Sequence, residues 1–133
     1  MGEYIDVVLY DMLDKAVEEY ERTGQISILN AAVGDAAITL DSYRGETYPK
    51  AHSGASERLQ DCNLLIFHIR NAFAHGMRQP RWNIKYDEKR KVYLIGDLKL
   101  DLTEKHGKSV DVIKDDLVGA LRYLRAYYEQ NKT

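Results

Sequence analysis

The sequence predicts a mainly α domain carrying a small antiparallel β segment near residues 82–102. Apolar residues recur with a helical period over residues 3–22, over about 56–74 and again after Ser109. Between Arg81 and Leu102 the period changes to two, as strands require. Turn formers gather between these stretches rather than inside them.

At 133 residues the chain can bury a real core as one domain spanning 1–133. Charged residues make up 30% and apolar ones 44%, the balance of a globular protein and not of a disordered one. No apolar run approaches the ~20 residues of a membrane-spanning helix. The opening MGEYIDVVLYDM carries acids where a secretory leader carries Lys or Arg, so a cytoplasmic location is expected. Cys62 is the only cysteine, which excludes an internal disulfide and a thiolate cluster and suggests a buried helical thiol.

In the first helix, Ile5, Val8, Leu9, Met12, Leu13, Ala16, Val17 and Tyr20 form one stripe, and Thr23-Gly24 ends it. Within Gln25–Leu40, either Ser27 or Asn30 is placed to cap a short helix, although Gly34 weakens it. Residues 41–54, DSYRGETYPKAHSG, read as a loop with a solvated His52.

Ser56 or Ser53 starts a second long helix running to about Ala74. Leu59, Cys62, Asn63, Ile66, Phe67, Ile69, Arg70 and Phe73 share its broad side. His68 and His75 are two turns apart, too far to chelate one ion, and no H-E-x-x-H pattern exists, so no metal or other cofactor is expected. Trp82, Ile84 and Tyr86 then alternate, Asp87–Lys91 turns the chain, and Val92–Ile95 and Leu98–Leu102 return, giving two or three strands. Ser109 is placed to cap the last helix, whose inner side is Val110, Ile113, Leu117, Ala120, Leu121, Leu124 and Tyr128. Tyr123, Tyr127 and Tyr128 near its end read as core or dimer surface rather than a base-stacking platform.

The net charge of −2 is unevenly spread. The first helix is acidic, whereas Arg78, Arg81, Lys85, Lys89, Arg90 and Lys91 gather after the second long helix. Such a patch either guides phosphate to one place or is a solvated hairpin surface.

The stretch RNAFAHG, Arg70–Gly76, closes the second long helix where Gly76 and Pro80 should stop it, with Gly76 in the left-handed position. A structural reading gives His75 to the last carbonyls and pairs Arg70 with an acid of the first helix. A functional reading notes that Asn71 and His75, four apart, share a face, so the amide can orient the imidazole. Arg70 is five before His75, roughly 140° around an ideal helix. The two converge if the last turn loosens or if two copies of the helix meet across a twofold axis. A site of His and Arg without a carboxylate suits cleavage of RNA by its own 2′-OH. His moves a proton near neutral pH, and Arg holds the phosphate charge of the transition state.

RNAFAHG resembles the motif of the HEPN superfamily: Arg70, the polar Asn71, three residues, then His75 at a helix end. The strict match covers about six residues, with the long-helix context extending it loosely. The resemblance implies an up-and-down helical bundle that homodimerises through the motif helices, with the 82–102 segment an insertion after the motif. It implies a metal-independent endoribonuclease, a toxin or defence component, with Arg70 and His75 catalytic and Asn71 assisting. An antitoxin of nucleotidyltransferase type is the implied partner. Other members of the superfamily keep the fold without the activity, as nucleotide- or partner-binding modules.

Overall fold

The first apolar stripe folds as α1 (Gly2–Asp6), a π-helical turn (Val7–Met12) and α2 (Leu13–Thr23), in a computed structural model that describes residues 2–47, 56–74, 76 and 79–130. Ile5, Val8, Leu9, Leu13 and Ala16 are buried as the stripe requires, while Met12 faces solvent. The wider π turn shifts the phase of the stripe at that point. Gly24 ends α2 in the left-handed conformation, φ 72°, its N–H bonded to the Tyr20 carbonyl at 2.7 Å.

Helix α3 (Ile26–Thr47) is the middle of the molecule, packed against α2, α4 and α5. It runs 22 residues, well beyond the short helix expected from Gln25–Leu40, and residues 41–47 of the expected loop belong to it. The reason is tertiary. Leu29, Val33, Ala36, Ala37 and Leu40 are fully buried, and Gly34 is buried with them. Tyr43 is then buried among those neighbours, so packing overrides the turn propensity of Asp41, Ser42 and Gly45. The remainder of that expected loop, with His52 and Ser53, lies outside the described residues.

Helix α4 (Glu57–Ala74) begins as expected, with Ser56 Oγ accepting the Leu59 N–H at 3.1 Å. Cys62, Leu65, Ile66, Ile69, Ala72 and Phe73 are buried. Burial, with Asp61 beside it, pushes the Cys62 thiol up to about 12, so it is an inert core group. Phe67, expected on the apolar side, instead leaves its ring 43% exposed.

The period-two stretch after Arg81 forms one hairpin, β1 (Val92–Ile95) and β2 (Leu98–Asp101), paired antiparallel from Val92↔Asp101 to Ile95↔Leu98. Gly96 turns it at φ 61°, and an added Cβ would collide with the Tyr123 hydroxyl of α5 (Leu117–Gln130). Trp82–Tyr86 is not a strand. Trp82 and Ile84 do alternate into the core, but their backbone is paired with the 106–110 stretch. The Trp82 N–H donates to the Lys108 carbonyl at 2.9 Å, the Gly107 N–H to the Trp82 carbonyl at 2.7 Å, and the Ile84 N–H to His106 Nδ1 at 3.0 Å.

The last helix starts at Leu117, later than a Ser109 cap implies. Ser109 is taken up in a single bridge with Arg81. Asp116 caps α5 instead, its carboxylate accepting the Gly119 N–H at 3.2 Å. Tyr128 is buried and Tyr123 and Tyr127 pack against the core. No helix among the described residues is long and apolar enough to cross a membrane.

Candidate functional site

Arg70 and Asn71 stand on the last turn of α4, half-buried where the helix leaves the core. That end is held without the glycine cap expected of it: Gly76 does not take the left-handed conformation. Its N–H reaches the Phe73 carbonyl at 3.4 Å, and the Arg81 N–H donates to the Ala72 carbonyl at 3.2 Å. The chain after α4 thus doubles back and caps it.

Arg70 pairs through Nε with Asp41 Oδ2 at 3.5 Å, an acid of α3 and not of the first helix. The same carboxylate accepts Arg44 Nε at 3.2 Å and Nη2 at 2.9 Å. One carboxylate therefore faces two guanidinium groups. Arg70 keeps 42% of its side chain exposed, and a net positive charge remains at this end of the helix.

Asn71 Nδ2 donates to the Asn83 carbonyl at 3.1 Å. The amide is thus oriented by the stretch that doubles back. His75, the residue it was expected to orient, lies outside the described residues, as does Arg78.

Beside Asn71 opens a cavity of about 330 Å³ between α4 and residues 83–89. Phe67, Asn71, Asn83, Lys85, Tyr86 and Lys89 line it. The structure therefore brings Asn71 together with two of the expected basic residues, Lys85 and Lys89. Lys89 Nζ lies 4.9 Å from the centre of the Tyr86 ring.

Arg81, Arg90 and Lys91, the other described basic residues of the patch, are committed to the fold. Arg81 donates to the Gly107 carbonyl at 3.1 Å. Arg90 donates to the Ile84 carbonyl at 2.8 Å and pairs with Asp87 at 2.7 Å. Lys91 pairs with Asp61 of α4 at 2.8 Å.

His68 forms part of the cavity wall from beneath, only 2% exposed. Its Nε2 is 3.0 Å from the Tyr93 hydroxyl, which itself donates to the Lys89 carbonyl at 2.8 Å. The hydroxyl has one proton, so it accepts from Nε2–H and leaves Nδ1 as the bare nitrogen. Nδ1 has no hydrogen-bond partner among the described residues. Burial, reinforced by Lys89, lowers His68 to about 4, and the imidazole is neutral at pH 7. Burial, with Asp61, raises the Tyr93 hydroxyl out of reach of physiological pH. This pair is a structural link between α4 and β1, not an acid–base pair. No group of three or more His, Cys, Asp or Glu able to hold a metal ion occurs among the described residues.

Three residues of the site escape sequence reasoning. Asp41 sits in a stretch rich in turn formers and gives no local signal of its partner. Tyr86 closes the Trp82, Ile84, Tyr86 alternation, which does not signal that it lines a cavity with residues of α4. Phe67 did carry a signal, since it lies four before Asn71 and shares that polar face.

No protein family, curated protein or solved structure matches this chain.

Proposed function

We propose that this chain is a metal-independent endoribonuclease of HEPN type, acting as a homodimer in which two copies of the α4 end form one composite site. One observation carries the reading. Arg70 and Asn71 of the Arg70-Asn71-x3-His75 motif leave the core together at the end of a buried helix, and Arg70 shares its one carboxylate with Arg44 there.

In this reading the 2′-OH of one nucleotide attacks the adjacent phosphorus. The 5′-oxygen leaves, and a 2′,3′-cyclic phosphate results. His75 moves the proton to or from an oxygen, and Asn71 positions it. Arg70 turns from Asp41 toward the phosphate. Its planar fork matches the non-bridging oxygens and stabilises their charge in the pentacoordinate transition state. Asp41 loses little by this, because Arg44 holds it by two hydrogen bonds. Lys85 and Lys89 draw the strand to the α4 end. Arg81, Arg90 and Lys91 contribute to the field while holding the fold. The toxin or defence role, with a nucleotidyltransferase-type antitoxin, belongs to the same proposal, and so does a cytoplasmic location.

Arg70→Ala and His75→Ala should each abolish cleavage while light scattering still reports a dimer. Cleavage surviving both changes defeats the proposal. The Arg70–Asp41 pair favours a second reading, a non-catalytic HEPN-fold module that binds a nucleotide or partner, with Arg70 fixing α4 to α3. Under that reading, Arg70→Ala lowers the melting temperature and no RNA is cut by any form.

A further inference from the structure

We infer that the cavity between α4 and residues 83–89 holds one nucleotide of single-stranded RNA, its base against Phe67 and Tyr86 and its phosphate at Lys85 and Lys89. This rests on the ribonucleolytic reading for the choice of RNA and on the cavity itself for the choice of a single nucleotide. Its volume, about 330 Å³, is at the low end of small-ligand sites and admits one unstacked unit, not a paired helix.

The lining has the chemistry of such a unit. Phe67 and Tyr86 remain 43% and 55% exposed on the two walls of one concave site. Apolar rings facing water across a cleft can gain a stacking partner there, and every base has a π-face to offer. Lys89 already lies against the Tyr86 ring at 4.9 Å, which places a cation at the rim of the stacking surface.

Asp87 of the turn is engaged by Arg90 at 2.7 Å. Neither Lys85 nor Lys89 enters an ion pair among the described residues. Asn71 and Asn83 add amide donors and acceptors to the lining, the groups that base edges require. The Asn71 bond to the Asn83 carbonyl, at 3.1 Å, ties the two walls together. Asn71 also belongs to the motif, so a nucleotide seated here lies next to the scissile phosphate.

Fluorescence anisotropy with a labelled, uncleavable 2′-O-methyl RNA single strand tests the site on the full chain. Phe67→Ala and Tyr86→Ala should each weaken binding by about 5- to 100-fold, with the salt dependence unchanged. The double change Lys85→Ala with Lys89→Ala should reduce the slope of log affinity against log salt by about 0.7 for each phosphate deprived of its lysine. Both rings are exposed, so melting temperatures should stay at the wild-type value, and this checks folding. Unchanged affinity in both aromatic variants overturns the site, and so does a duplex RNA that binds as tightly as the single strand.

The two readings fail separately. Cleavage that depends on His75 but is indifferent to Phe67 and Tyr86, with unchanged binding, discards the nucleotide site and keeps the ribonuclease. Binding that depends on the two rings, beside cleavage that persists in His75→Ala, does the reverse.

Discussion

Two arginines of this chain, Arg125 and Arg70, both face carboxylates, and they do opposite things. Arg125 of α5 is 6% exposed, pairs with Asp6 at 3.1 Å and Glu129 at 2.9 Å, and lies over the Tyr43 ring at 4.8 Å. Tyr43 in turn donates to Glu129 at 3.1 Å. Beside it, Arg122 pairs with Asp14 and donates to the Leu9 carbonyl at 3.1 Å. That cluster is closed, because each positive group has its own acid. Arg70 is 42% exposed and has a share in one acid at 3.5 Å. The cavity beside Asn71 is lined by two lysines, Lys85 and Lys89, that enter no ion pair among the described residues. Charge composition alone does not separate a cluster that binds the chain to itself from one available to a ligand. The number of acids per guanidinium does.

The contrast breaks most visibly at Arg70. Arg70→Ala should lower cleavage by about 10²–10³ or more, the scale of removing one positioned charge from a transition state. Its cost to stability should stay within about 1 kcal/mol in a denaturant titration, as for other exposed pairs. A large stability loss with unchanged activity would put Arg70 in the closed class.

Acid should sharpen the contrast at His68, which lies under the open cluster. Its folded value is about 4 against 6.5 in the unfolded chain, so the unfolded state takes the proton first. Stability is therefore full above pH 6.5 and is lost as pH falls toward 4, by up to about 3 kcal/mol. Urea midpoints measured across that window should fall, and His68→Gln should flatten that part of the curve. A midpoint insensitive to His68 would mean that the imidazole is hydrated when folded.

The closed cluster should show the converse of Arg70. Arg125→Ala should cost about 2–3 kcal/mol, because it removes two charged hydrogen bonds and a buried stem. RNA affinity should not change. Smallest of all, Lys91→Ala should cost less than about 1 kcal/mol, since its pair with Asp61 is part-exposed. Its effect on RNA affinity should be slight beside that of Lys85 and Lys89. A loss equal to theirs would show that Lys91 leaves Asp61 for phosphate.

The first and second long helices were legible because their apolar stripes are long, although the Gly76 cap expected for the second does not form. Ser56 and Gly24 stand where sequence places them. The extent of α3 was not, because Asp41, Ser42 and Gly45 carry turn signals that only the burial of Tyr43 overrules. The 82–86 stretch alternates as a strand does, yet its backbone partners lie at 106–110, a pairing no local pattern contains. At the site, the motif and two lysines were visible, whereas Phe67 read as part of the apolar side of its helix and proves 43% exposed. The Asp41–Arg70 pair and the Tyr86 wall arise from chain segments brought together by folding, so local spacing does not announce them.

The most direct test of the central claim is incubation of the purified protein with end-labelled RNA in EDTA, wild type beside His75→Ala. The account predicts cleavage by wild type alone, with a 2′,3′-cyclic phosphate or its opened product at the new end. Equal cleavage by His75→Ala, or cleavage by wild type that EDTA abolishes, would contradict it.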